Sequence, residues 1–291
     1  MTSVSPLDLP AERAGYPAPP AIAAVREAMA RAVAAGNWRT DPPPTEQWME
    51  GVRVLRFHPP GIVRGTVLHF HGGGYRMGCP EIVGPYAAAL ARRCGVEVVC
   101  PAYRLAPEYP FPAGVKDGLA VLCELAGERR GPLILSGDSA GGGLAAALAA
   151  LAGAEGVDLA GLILLSPWLD LTVSARSYDT NGGSDPLFSR ESAKLAAQLY
   201  LQEGVEPDHP IASPIFGPIT SFPSVLLNVG AGEVLFDDAY SLAARLRDAD
   251  IEVELLAVAG MDHIAVVHGL TLPGAAETFD RVTAFIERLL T

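Results

Sequence analysis

The chain is 291 residues long, 49% hydrophobic and 19% charged, the balance of a globular protein with enough residues for one large core. Its 33 acidic against 21 basic residues give a formal net charge of -12. No block of basic residues interrupts that acidic background, which excludes nucleic acid and anionic lipid as main partners.

The first twenty residues, "MTSVSPLDLPAERAGYPAPP", lack the basic and continuous apolar regions of a secretory signal, so the expected location is the cytoplasm. "AIAAVREAMARAVAAG" (21–36) then reads as a helix and "NWRTDPPP" as a linker. From "GVRVLRF" (51–57) and "GTVLHF" (65–70) onward, strand-like and helix-like segments alternate. Helical spacing covers 81–95, 113–127, 138–153, 236–249 and 274–290. Strand-like runs are "VEVVC" (96–100), "PLILS" (132–136), "AGLILLS" (160–166), "SVLLNV" (224–229) and "IEVELLAV" (251–258). This alternation predicts an α/β domain, a mostly parallel sheet with helices on both faces, in a single unit over 1–291. The most apolar stretch, 144–154, is alanine-rich and reads as a buried helix, so no membrane span is expected. The four cysteines, Cys79, Cys94, Cys100 and Cys123, lack metal-ligand spacing, and neither a zinc site nor a structural disulfide is expected.

Two segments break the rhythm, the stretch up to about Gln47 and an insertion over about 171–216. The insertion holds a glycine-rich turn, "YDTNGGSDP", and an amphipathic helix, "SRESAKLAAQLYLQ". Long irregular segments of this kind serve as lids or binding surfaces.

The stretch Gly137-Asp138-Ser139-Ala140-Gly141 lies between a predicted strand and a predicted helix. A serine framed by glycines in that context suits a tight turn that holds its hydroxyl at a helix N-terminus. There, unpaired N–H groups and the positive dipole end favour a developing oxyanion. The alternative is a strand-to-helix turn with a capping serine. Upstream, "HFHGGGY" follows a strand and supplies backbone without side chains; the N–H groups of Gly72 and Gly73, with that of Ala140, form the expected oxyanion hole. A phosphate cradle is the competing reading, and the loop lacks both G-x-G-x-x-G and a terminal Gly-Lys-Ser/Thr.

With these residues in view, the chain resembles the hormone-sensitive lipase family of α/β-hydrolases, the bacterial type IV esterases. The resemblance rests on "HGGGY" (71–75), "PAYRLAPEYPFPA" (101–113), "SGDSAGG" (136–142), "SPWLDLT" (166–172) and "GMDHI" (260–264), in the family's order. It implies an eight-stranded, mostly parallel sheet and a lid built from about 1–47 plus the insertion at about 171–216. It also implies a serine carboxylesterase for small to medium acyl esters, without cofactor or metal, and a homodimer through the edge strand "IEVELLAV".

The base belongs late in the chain, on a loop after the last strand, where His263 lies; His58, His69, His71, His209 and His268 read as structural or exposed. Where many family members carry Asp-Pro-Leu-x-Asp, this chain has "GAGEVLFDD", and register places Glu233 at the triad acid. Asp237 and Asp238 compete for that role, and their place at a helix start suits dipole stabilisation instead. Arg104 and Glu108 are expected to brace the loop beside the site, and Asp170 to order the start of the lid. Tyr75, Trp168 and Trp38 are candidates for the substrate pocket, with core packing as the alternative.

Two rival functions remain. The same chemistry can act on an amide, carbamate, lactone or thioester, or pass the acyl group to an alcohol, because lid shape decides among these. An inactive ligand receptor on the same scaffold is disfavoured by the joint presence of serine, acid, histidine and glycine loop.

Overall fold

The structure, a computed structural model, describes residues 9–291, so the first eight residues of the expected lid lie outside the described residues. Helix α1 (Pro20–Ala35) precedes strands β1 (Thr45–Met49), β2 (Val52–Phe57) and β3 (Thr66–Phe70). Then come α2 (Gly84–Cys94), β4 (Glu97–Pro101), α3 (Ala113–Glu128), β5 (Leu133–Asp138), α4 (Ala140–Ala152) and β6 (Gly161–Leu165). The insertion carries α5 (Ser177–Thr180) and α6 (Arg190–Tyr200). The chain closes with β7 (Val225–Gly230), α7 (Phe236–Asp248), β8 (Val253–Val258), α8 (Ala265–His268) and α9 (Ala275–Leu289).

The eight strands form one sheet in the order β1-β2-β4-β3-β5-β6-β7-β8. β2 runs antiparallel to β1 and β4, and all other neighbours are parallel. The inner parallel strands are buried on both faces, which is why "LILSGD", "GLILL" and "VLLNVG" carry near-continuous apolar runs. Two hydrophobic cores fill the space between the sheet and its helices. α4 belongs to the first, with all thirteen of its residues buried. α9 belongs to the second and buries Ala275, Thr278, Val282, Phe285 and Ile286, a helical stripe at the spacing of one face.

Register aligns the strand ends. Phe70 pairs with Gly137, Asp138 with Leu165, Leu165 with Asn228, and Gly230 with Val258. The residues that follow β3, β5, β6, β7 and β8 therefore emerge along one carboxyl edge, where ligands bind in open α/β sheets.

β1 was not among the expected strands. Four of its five residues are exposed and only Met49 is buried, so it has no alternating apolar pattern; backbone pairing with β2 alone makes it an edge strand. The expected lid boundary near Gln47 thus falls inside the sheet, and the segment ahead of the sheet ends at residue 44. Among the described residues no helix is long and apolar enough to cross a membrane.

Candidate active site

β5 ends at Asp138 and α4 begins at Ala140, leaving Ser139 alone to make the turn, with φ 53° and ψ -121°. A non-glycine residue in this region is strained, and such strain persists only where the surroundings enforce it. The surroundings here are tight. A Cβ at Gly137 would run into the Gly141 carbonyl, and one at Gly141 into the carbonyls of Phe70 and His71. Those contacts are why the serine is framed by glycines.

The turn brings Ser139 Oγ to 2.9 Å from His263 Nε2. On the other side of the ring, His263 Nδ1 lies 2.6 Å from Glu233 Oε2. Glu233 Oε1 accepts the Ser166 hydroxyl at 2.7 Å and the Gly230 N–H, so both carboxylate oxygens are committed. All three of Ser139, Glu233 and His263 are buried. Burial on its own pushes the His263 imidazole down, but the adjacent Glu233 carboxylate, helped by the charges of Asp185 and Asp138, outweighs it and holds the pKa above the ordinary value.

The competing acids are engaged elsewhere. Asp237 accepts the Ser177 N–H at 2.8 Å, and Asp238 accepts the N–H groups of Leu169 and Asp170 at 2.8 and 3.1 Å. Both lie in the first turn of α7, where Asp237 ties down the insertion and Asp238 the Leu169–Asp170 stretch just ahead of it. Burial pushes the Asp238 carboxyl up to about 8, against the lowering by the Leu169 N–H and with help from the Asp170 charge.

The glycine loop departs from expectation at one residue. The Gly72 N–H donates to Asp138 Oδ2 at 2.9 Å, so it is not free to receive an oxyanion. Asp138 Oδ1 lies 3.2 Å from His69 Nε2, and His69 Nδ1 lies 2.9 Å from Ser136 Oγ, a buried chain that anchors the base of the loop. Gly73 and Gly74 follow at φ 116° and 60°, and a Cβ at Gly73 would strike the Met77 carbonyl. Their N–H groups and that of Ala140 have no acceptor among the described residues. Burial pushes the His71 imidazole pKa down, and its ring stacks on Tyr103 at 4.5 Å.

The three aromatic pocket candidates have other settings. Tyr75 is buried and stacks on Tyr200 of α6 at 3.9 Å, and Trp168 is fully buried with its indole N–H on the Asp170 carbonyl. Both pack the layer beneath the insertion. Trp38 lines a different cavity of about 390 Å³, with Pro43, Leu55 and Phe57, and is not brought to Ser139. A cavity of about 120 Å³ lies against the glycine loop, bounded by Gly72, Gly73, Asp138, Met29 of α1, Ile264 and Val267. Phe188, which the sequence did not single out, stacks on His263 at 6.0 Å and 11°. Its only sequence signal is a place just ahead of α6.

Both irregular segments reach this loop. Arg26 of α1 donates to the carbonyls of Arg76 and Ala106 and to Glu108, while Arg76 donates to Ser192 of α6. Arg104 pairs with Asp117 and Glu12, and Asp170 accepts from Thr172 and Ser174.

The model of the α/β-hydrolase fold family matches residues 67–267. The chain is similar to an acetyl-hydrolase of Streptomyces hygroscopicus, 36% identical over 76% of this chain and 75% of the relative. It is also similar to an esterase of Acinetobacter venetianus, 30% identical over 83% of this chain and 80% of the relative. A solved esterase from the bacterial hormone-sensitive lipase family superposes with a TM-score of 0.87 at 31% identity, covering 95% of this chain and 94% of the other.

Proposed function

The chain belongs to the hormone-sensitive lipase family of α/β-hydrolases, and we propose that it hydrolyses esters with Ser139 as nucleophile, His263 as base and Glu233 as the acid that orients it. The protein is a carboxylic ester hydrolase, as its relatives named esterase and acetyl-hydrolase are. The observation that carries the serine mechanism is the unbroken relay of 2.9 and 2.6 Å from Ser139 through His263 to Glu233 at the carboxyl edge of the sheet.

Glu233 fixes the tautomer with the proton on Nδ1, leaving Nε2 to take the Ser139 proton as Oγ attacks the ester carbonyl. The carbonyl oxygen becomes an oxyanion, stabilised by the N–H groups of Gly73, Gly74 and Ala140; Gly74 takes the place first assigned to Gly72. Collapse expels the alcohol, protonated by His263, and leaves Ser139 acylated. Water, deprotonated by the same imidazole, then attacks the acyl carbon; the Ser139 Oγ–carbon bond breaks as Oγ takes the proton back from His263, and the carboxylic acid leaves.

The reading extends to a lid made of α1 and the insertion, supported by the ties of Arg26 and Ser192 to the glycine loop. Short acyl groups are the expected substrates, with support from the name of the Streptomyces hygroscopicus relative, an acetyl-hydrolase. A homodimer through β8 has its support in that strand's place at the sheet edge with half-buried residues Val253 to Ala257. The test of substrate class is turnover of p-nitrophenyl esters from acetate to palmitate. Rates falling with chain length are expected, and rates that climb steadily to palmitate contradict the esterase reading in favour of a lipase.

A further inference from the structure

The loop that bears Glu233 is gripped by the insertion at four consecutive residues. Asn181 Nδ2 donates to the carbonyls of Glu233 (2.8 Å) and Ala231 (3.3 Å), and the Ser184 hydroxyl donates to the carbonyl of Gly232 (2.8 Å). Asp185 Oδ2 accepts the N–H of Val234 at 3.0 Å. The other Asp185 oxygen accepts the N–H groups of Leu187 and Phe188 at 3.0 and 2.9 Å, which sets the turn that lays the Phe188 ring along His263. One carboxylate therefore fixes both the loop behind the imidazole and the ring in front of it.

We propose that Asp185 is a positioning residue for the triad, joining the Glu233 loop and the Phe188 turn at one point of the insertion. The inference rests on the triad reading given above. It makes the insertion part of the machinery that aligns the acid and not only a cover over the substrate. A carboxylate is required because N–H donors approach it from both ends. An asparagine offers one oxygen and one amide, so in either orientation an N–H faces an N–H, and one arm of the clamp is lost. Misplacing a reacting group by about 1 Å costs on the order of 100-fold in rate.

The experiment compares wild type with Asp185→Asn, Asn181→Ala and Asp179→Asn, using p-nitrophenyl acetate turnover across pH, thermal melting and fluorophosphonate labelling of Ser139. Asp179 lies in the same insertion but is bound to Arg190 at the surface, so its variant makes the same charge change away from the clamp. Asp185→Asn is expected to lower kcat by about 10- to 100-fold with KM changed by less than about threefold. Its acid limb should also move to lower pH. The charges facing His263 are Glu233 from the loop after β7, Asp138 from the end of β5 and Asp185 from the insertion, with His268 on α8 opposing them. Losing one negative charge lowers the imidazole pKa, which loss of packing alone would not do. Asp179→Asn should keep both the kcat and the acid limb of wild type. An Asp185→Asn protein indistinguishable from Asp179→Asn in kcat and acid limb overturns the proposal. Should Asp185→Asn fail to fold, Asn181→Ala decides: a drop in kcat of about tenfold or more at unchanged KM supports the clamp, and wild-type kcat refutes it. A wild type that turns over no ester and takes no label would sink the triad reading itself, an outcome separate from all of these.

Discussion

Replacing Glu233 with glutamine changes one atom and inverts the logic of the site. Glu233 Oε1 must keep accepting from Ser166 and Gly230, so the glutamine oxygen stays on that side and its amide faces His263 Nδ1. An amide donates, so Nδ1 must become the acceptor and the ring proton moves to Nε2, pointing at Ser139 Oγ. The imidazole can then no longer take the serine proton. The wrong tautomer in a triad costs about 10⁴-fold in kcat, equivalent to roughly 5 kcal/mol at 1.36 kcal/mol per decade. Steady-state hydrolysis of p-nitrophenyl acetate at neutral pH reads the rate, and circular dichroism melting verifies the fold. Asp237→Asn supplies the contrast. Its carboxylate holds the Ser177 N–H and not the imidazole, so melting temperature should fall while kcat stays within about threefold. A folded Glu233→Gln enzyme within tenfold of wild type would refute the assignment of the acid, and a silent Asp237→Asn enzyme would move it to Asp237.

Three further outcomes follow from the same geometry. Because His263 has its pKa raised and must be neutral to act as base, kcat/KM should reach half its plateau above pH of about 6.5, the ordinary imidazole value; a midpoint well below it contradicts the hold of the Glu233 carboxylate on the imidazole. Deleting residues 1–44 removes α1, with Met29 from the cavity wall and Arg26 from its three partners beside the glycine loop, and should abolish turnover and increase dye binding to exposed apolar surface; unchanged kinetics would remove α1 from the site. Asp238 binds its proton up to about 8 in the folded protein and only to about 4 unfolded, so its contribution to stability is present at low pH and lost as pH rises through that window. Melting of Asp238→Asn relative to wild type should therefore improve from pH 5 to pH 8, and a difference constant with pH would refute the raised carboxyl.

The central elements were legible because strands buried on both faces and helices with one apolar face write distinct periods into the sequence. "PLILS" and the helix of 274–290 are examples, matched by β5 and α9 to within two residues. Ser139 stood out for a local reason, since its flanking glycines answer to contacts within a single turn and its neighbouring strand. What stayed hidden depends on atoms distant along the chain. The Gly72 N–H is taken by a carboxylate 66 residues away, and the Glu233 loop is gripped by Asn181, Ser184 and Asp185 about 50 residues upstream. In sequence, those three polar residues look like an ordinary glycine-rich turn. β1 was missed because an edge strand with exposed side chains is held by backbone pairing, which no side-chain pattern records. Trp38 was offered for the pocket on residue type alone, and the chain between α1 and β1 carries it to another cavity.

The whole mechanism turns on the proposal that Ser139 is the activated nucleophile of this ester hydrolase. Its most direct test is reaction of the intact protein with a fluorophosphonate, followed by mass spectrometry of the digest and residual ester turnover. One adduct per chain is expected, on the peptide containing Ser139, with turnover lost in proportion to labelling and with neither adduct nor turnover in Ser139→Ala. Full turnover in Ser139→Ala, or an adduct on another residue that accompanies the loss of activity, would contradict it.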